Sequence, residues 1–173
     1  MSVAFIPFQF PGLDNVFCAF QTRATAEAPF DGGNISFSVG DDAQGVTANR
    51  RALLEALRPH GLENWAELNQ VHGDILHFEP EVVSCQAQPT VDGDGMAASR
   101  PGLGLLIKTA DCQPVLLAHK SGRYVAALHV GWRGNRCDFP ASGVARFCER
   151  YAVSPCDILA VRGPSLGPAR AEF

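Results

Sequence analysis

No apolar run in this sequence approaches the roughly 20 residues that a bilayer-spanning helix needs, so no membrane span is expected. The segment MSVAFIPFQFPG lacks a basic leader, and Pro7 and Pro11 interrupt any apolar stretch in it. That predicts no secretory signal and a cytoplasmic protein. Basic residues are also scarce, with 14 Lys and Arg against 18 Asp and Glu and a formal net charge of −4. Without a basic stripe interleaved with aromatics, nucleic acid is not an expected partner. An anionic ligand must then be held by a few local cations and not by a global field. Repeats and low-complexity tracts are absent, and charged residues make up only 18% of the chain. What is plentiful is apolar content, 46% over 173 residues, which is enough to bury the core of one domain spanning 1–173. Six cysteines are present without an export signal, so most are expected to be buried free thiols.

Local patterns place the elements. Val3–Ile6 and Val16–Phe20 read as short strands around a Pro-Gly turn. Asp31 to Asn34 reads as a turn, and Ile35–Val39 as a strand. A helix is predicted over about Ala43 to Arg58, started by Asp41 or Asp42 and stopped by Pro59 and Gly61. Its apolar face is Leu53, Leu54 and Leu57. Strands are expected at Glu67–Val71 and Ile75–Phe78, with a surface loop over Cys85–Thr90. Further strands are expected at Leu103–Lys108, Pro114–His119, Tyr124–Val130 and Ile158–Val161, with a helix over Ala141–Tyr151. Strands outnumber helices and connect mostly as antiparallel neighbours, which gives an α+β class.

One hairpin brings chemistry together. Ser121-Gly122 suits a two-residue turn between the runs ending at His119 and starting at Tyr124. In that register Cys112 faces Gly131. His129, two residues before Gly131, shares its sheet face and becomes a diagonal neighbour of Cys112. Three readings of such a pair are open. It can be a catalytic thiol activated by an imidazole. It can be two ligands of a borderline metal such as zinc. It can also be a buried thiol beside a satisfied core histidine.

Longer motifs surround this pair. They are Thr109-Ala110-Asp111-Cys112-Gln113-Pro114-Val115-Leu116-Leu117, then His129-Val130-Gly131-Trp132-Arg133-Gly134, and upstream Gln70-Val71-His72-Gly73. Asn34-Ile35-Ser36, Val39-Gly40-Asp41-Asp42, Asn49-Arg50, Asp92-Gly93-Asp94-Gly95-Met96 and Gly163-Pro164-Ser165-Leu166-Gly167-Pro168 complete the set. The ordered set resembles the signature of the multicopper polyphenol oxidase, or purine nucleoside phosphorylase, family (YfiH-like), over nearly the whole chain. The resemblance implies metal ligands at His72, Cys112 and His129. It implies a single mixed α/β-layered domain related in architecture to the cytotoxic-necrotizing-factor deamidase. It further implies phosphorolysis of adenosine, inosine or guanosine to base and ribose 1-phosphate, with adenosine deamination and methylthioadenosine phosphorolysis as associated activities. Two departures stand out. Asn135-Arg136-Cys137-Asp138 replaces a small apolar run, and Ala169 to Phe173 stands where family members continue into further C-terminal strands, so a C-terminally shortened domain is expected.

Zinc is the expected cofactor, copper less so. Three protein ligands leave a fourth tetrahedral position open, where a bound water's pKa falls to about 7. Asp94 or Asp111 could move a proton, and Asp111 could equally cap the turn before Pro114. Arg133 suits phosphate or ribose, because a guanidinium fits oxyanions bidentately. Trp132 could stack on the base, and by the resemblance Asn34 and Ser36 supply polar contacts. His60, His77 and His119 do not suit a fourth ligand. Five histidines are too few for a four-copper oxidase. Two further readings stay open: an electron-transfer copper centre with Met96 as axial ligand, and a metal-free cysteine hydrolase using Cys112 and His129.

Overall fold

The structure, a computed structural model, describes residues 3–23, 30 and 32–167. Asp31 and Pro168 of the expected turns, and the segment 169–173, lie outside the described residues. The central element is a five-stranded mixed sheet in the order β4-β5-β8-β7-β9. Its strands are β4 (Leu76–Phe78), β5 (Gly95–Ala98), β7 (Gln113–His119), β8 (Val125–Val130) and β9 (Ile158–Arg162). A parallel pair, β3 (Asn64–Glu67) with β6 (Leu103–Leu106), and an antiparallel ribbon, β1 (Ala4–Gln9) with β2 (Phe17–Thr22), flank it. The helices are α1 (Ala43–Leu57), α2 (Trp132–Arg136) and α3 (Phe139–Tyr151). This is an α+β arrangement of mixed sheets with few helices.

Strand alternation sorts the core into layers. Val115 and Leu117 of β7 and Ala126, Leu128 and Val130 of β8 face Phe139 and Phe147 of α3. The alternate residues Leu116, Ala118 and Val125 face the other way, toward Phe10, Leu13, Val16 and Cys18 of the ribbon. Full burial of a side chain such as Leu128 or Phe147 stabilises the fold by about 1.5–3 kcal/mol. Because Leu128 and Val130 point at α3, His129 between them must point at the opposite face.

The β7–β8 register is the one read from the Ser121-Gly122 turn, with Gln113 opposite Val130 and Pro114 opposite His129. Helix α1 begins as its sequence requires, with Asp42 accepting from the Gly45 N–H at 2.7 Å. It gives way at Arg58 to a short 3-10 turn containing Pro59 and ending on Gly61 at φ 90°. Pro7 sits inside β1, which is tolerated because the ribbon leaves that strand an edge.

Several expectations need correction. Ile35–Val39 is not a strand but a series of turns and bends. Polar side chains override its β propensity there: Asn34 closes an Asx turn onto the Ser36 N–H at 2.9 Å, and Arg50 Nε donates to the Ile35 carbonyl at 2.7 Å. The strand expected over Glu67–Val71 ends at Glu67. Beyond it the backbone N–H groups of Val71, His72 and Gly73 turn to one carboxylate instead of a neighbouring strand. Most strand pairs are antiparallel as expected, while β3–β6 and β4–β5 are parallel, which no local turn foretold. Helix α2 and strand β5 lie in segments that the patterns left unassigned.

Candidate metal centre

His72, Cys112 and His129 come from three separate segments, and their ligand atoms all lie within 4.8 Å of one another. His129 reaches the cluster from the end of β8, and Cys112 from the residue just before β7. His72 reaches it from a loop in which it holds φ 62° itself, a left-handed conformation uncommon for a non-glycine residue. The rings of His72 and His129 meet edge to face with centroids 4.8 Å apart. Gly131 makes room for the third member. A Cβ there would sit 3.0 Å from Cys112 Sγ and 3.2 Å from the His72 ring.

Asp94, fully buried just before β5, ties these parts together. Its Oδ1 accepts from the His72 N–H at 2.9 Å and from His129 Nδ1 at 2.7 Å. Its Oδ2 accepts from the N–H of Gly73 at 2.7 Å and of Val71 at 3.3 Å. With Nδ1 engaged, His129 presents the lone pair of Nε2 to the cluster, the carboxylate–imidazole arrangement that orients metal-binding histidines. Asp94 therefore acts through other residues, as a positioning group. Asp94→Asn is expected to weaken metal binding about 10–100-fold, because the amide NH2 would face backbone donors. Competition titration of the apoprotein against a chromophoric chelator checks this, and unchanged affinity would contradict the role.

The donor set suits a metal of borderline softness, with two imidazoles and one thiolate. Bonds of about 2.0–2.3 Å would draw the donors to within about 4 Å of each other, so the cluster needs only a small closure. Burial pushes the Cys112 thiol above its ordinary value, and the charges of Asp111 and Asp94 add to the rise. Burial pulls His129 below its ordinary value, opposed by its bond to Asp94. The imidazole is thus kept neutral, while the thiol must surrender a proton when a metal binds. Metal affinity is accordingly expected to climb with pH through the neutral range, measured by the same titration at several pH values. A flat profile would contradict a protonated Cys112.

The cluster lies in a cleft of about 1370 Å3 whose walls include Asn34, Ser36, Gln70, Lys108 and Asp111. Asn34 is largely committed to its own loop, donating to the Ser36 carbonyl and to Asp41 Oδ2 at 2.9 Å. The Ser36 hydroxyl pairs with that of Ser38. Asp111 is exposed, and its carbonyl accepts from the Leu166 N–H at 3.1 Å. Trp132 and Arg133 begin α2 and stack on each other, with the guanidinium 5.2 Å from the ring, and neither is among the residues lining the cleft. Trp132 is 57% exposed. Met96 is fully buried with Ala66 and Leu68 in the apolar core and does not line the cleft. The remaining histidines are engaged elsewhere: His60 stacks on Phe17, His77 bonds the Asp92 carbonyl and His119 bonds Ser121.

Sequence reasoning missed the frame behind the cleft wall. Arg50, with no exposed surface, forms two bonds to the buried Glu67 at 2.6 and 2.7 Å, and Lys108 Nζ also donates to Glu67. Gln70 reads both the N–H and the carbonyl of Lys108 at 2.7 Å. The available signal was position, since Gln70 lies two residues before His72 and Lys108 four before Cys112.

A mixed sheet with a two-histidine, one-cysteine cluster that could hold a metal at a cleft defines the class, an α+β protein with a candidate metal site. The profile of the family described as multi-copper polyphenol oxidoreductase laccase matches residues 17–173, and the chain belongs to that family. It is 34% identical over 154 residues to a purine nucleoside phosphorylase of Pseudomonas aeruginosa, covering 88% of this chain and 57% of that relative. It is 33% identical over 175 residues to purine nucleoside phosphorylase YfiH of Escherichia coli, covering 99% of this chain and 67% of the relative. The crystal structure of YlmD from Geobacillus stearothermophilus superposes with a TM-score of 0.79 at 30% identity, over 92% of this chain and 62% of that one. The chain thus spans about three fifths of the length of these proteins. Among the described residues, no helix is long and apolar enough to cross a membrane.

Proposed function

We propose that this chain carries the metal site of a cytoplasmic purine nucleoside phosphorylase, with zinc held by His72, Cys112 and His129. The substrates are adenosine, inosine or guanosine with phosphate, and the products are the free base and ribose 1-phosphate. Adenosine deamination and methylthioadenosine phosphorolysis belong to the same proposal. The observation that carries it is the convergence of the three donors at a cleft, in a chain whose relatives are named for that activity. When bound, the ion would supply Lewis-acid chemistry at the cleft. The protein's own groups do the rest. In this reading the cleft holds the nucleoside beside the cluster, the loop of Asn34 and Ser36 lines its wall, and Asp111, next to Cys112 in sequence, moves a proton. Trp132 and Arg133, just past Gly131, lie outside the cleft lining and are assigned no substrate contact. Zinc is favoured over copper because Met96, the axial ligand a blue-copper centre would need, is buried in the core.

A second reading has one observation in its favour. Cys112, His129 and Asp94 are ordered like a thiol–imidazole–carboxylate triad, which suits a metal-free cysteine hydrolase. Against it stand the raised thiol pKa and the third donor, His72. Incubation with adenosine and phosphate, with and without a chelator, separates the two. The phosphorylase reading predicts adenine and ribose 1-phosphate, lost on chelation and restored by zinc. Chelator-resistant turnover that tolerates His72→Ala would overturn it.

A further inference from the structure

The cleft is basic although the chain is acidic. Its lining includes Arg23, Arg100, Lys108 and Arg123 against Asp111, in a chain of net charge −4. The arginines are engaged elsewhere: Arg23 has a partner, Arg100 donates to the Pro80 carbonyl at 3.2 Å, and Arg123 stacks 5.4 Å from the Tyr124 ring. Lys108 stands differently. Its side chain is only 17% exposed and it lies on the wall of the cleft that also holds His72, Cys112 and His129.

The pairing around Lys108 leaves positive charge in surplus. Glu67 has no exposed side-chain surface and is already met by both bonds from Arg50, so it needs no second cation. Lys108 adds one, which makes two cations on one carboxylate at the wall of a cleft. A partly buried surplus charge is costly unless an opposite charge arrives. An ammonium has three N–H donors. Two are directed at Glu67 and, at 3.5 Å, at the Leu68 carbonyl, which leaves one for a ligand. The backbone at Lys108 is fixed by the paired bonds to Gln70, from the loop that also carries His72. The ammonium is therefore held in a set relation to the metal ligands.

We infer that Lys108 is the binding group for inorganic phosphate, holding the oxyanion in the cleft beside the His72–Cys112–His129 cluster. The inference deepens the phosphorylase reading and rests on it. Arg50 and Glu67 set the height of the ammonium in the wall, and Gln70 sets its distance from His72. A phosphate bound here completes the compensation that Glu67 alone cannot provide for two cations.

The test compares wild type, Lys108→Met and Lys108→Arg, all zinc-loaded, by calorimetry with inorganic phosphate alone and by adenosine turnover. Loss of one charge-assisted hydrogen bond is expected to weaken phosphate binding by about tenfold or more in Lys108→Met. KM for phosphate should rise to match, while zinc content and KM for adenosine stay near wild type. Lys108→Arg keeps the charge and should restore most of the binding, which also controls for a folding defect in the methionine variant. Equal phosphate affinity in wild type and Lys108→Met, with turnover intact, would overturn the assignment and leave the phosphorylase reading standing. Failure of the wild type to bind phosphate would overturn the assignment, and failure to turn adenosine over would separately sink the phosphorylase reading.

Discussion

Cys112→Ala is expected to leave the protein folded, empty of metal and without phosphorolysis. The thiolate is the one anionic donor in the cluster, and two neutral imidazoles are a poor zinc site by themselves. Cys112 is only half-buried and lies just before β7, outside the apolar clusters that hold the sheet together, so its truncation removes little packing. A bound Lewis acid contributes several kcal/mol to a transition state, so turnover should fall on the order of a thousandfold. Metal content and adenine release, measured on the same preparation, check both halves. A variant that keeps its zinc would show that the donors near Cys112 do not form the site. One that loses activity but retains metal would return the thiol to the role of nucleophile.

Glu67→Gln should produce the largest loss of stability. Among the described residues, the change removes the only carboxylate that Arg50 and Lys108 are bonded to, and it strands a guanidinium with no exposed surface. Breaking a buried ion pair by neutralising one partner costs about 3–5 kcal/mol. For a chain of this size that corresponds to a drop in Tm of about 10 °C or more. The reverse change, Arg50→Met, should cost less, because Lys108 remains to compensate Glu67. Arg50 also pins the loop at Ile35 and Ala87 and lies 4.5 Å from the Phe37 ring, so both variants should loosen the cleft wall. Thermal melts of the two variants give the ordering. If Arg50→Met were the worse of the two, Lys108 would not be compensating Glu67 as described.

The legibility of this fold in its sequence varied with the range of the interactions. The hairpin was readable because its register depends on one local turn, and Ser121-Gly122 specifies that turn. From that register alone, Cys112 and His129 could be put on one face. The third donor was not readable by geometry. His72 lies on a loop shaped by Asp94, which is distant in sequence, and only the ordered motifs joined it to the pair. The same long reach hid the roles of Glu67 and Lys108, whose partners are set by tertiary packing. Ile35–Val39 misled because its β-rich composition is overruled by hydrogen bonds from Asn34 and Arg50. The parallel pairs were hidden for a related reason, since their partners are joined through long crossovers and no local turn records them.

In the proposed function, three residues from three segments hold one catalytic metal. The most direct test of this is the metal content of the purified chain, by mass spectrometry, beside His72→Ala. About one zinc per wild-type chain is expected, with a large loss in His72→Ala, the donor that a thiol–imidazole enzyme would not need. No metal in the wild type after zinc loading, or full retention by His72→Ala, would contradict it.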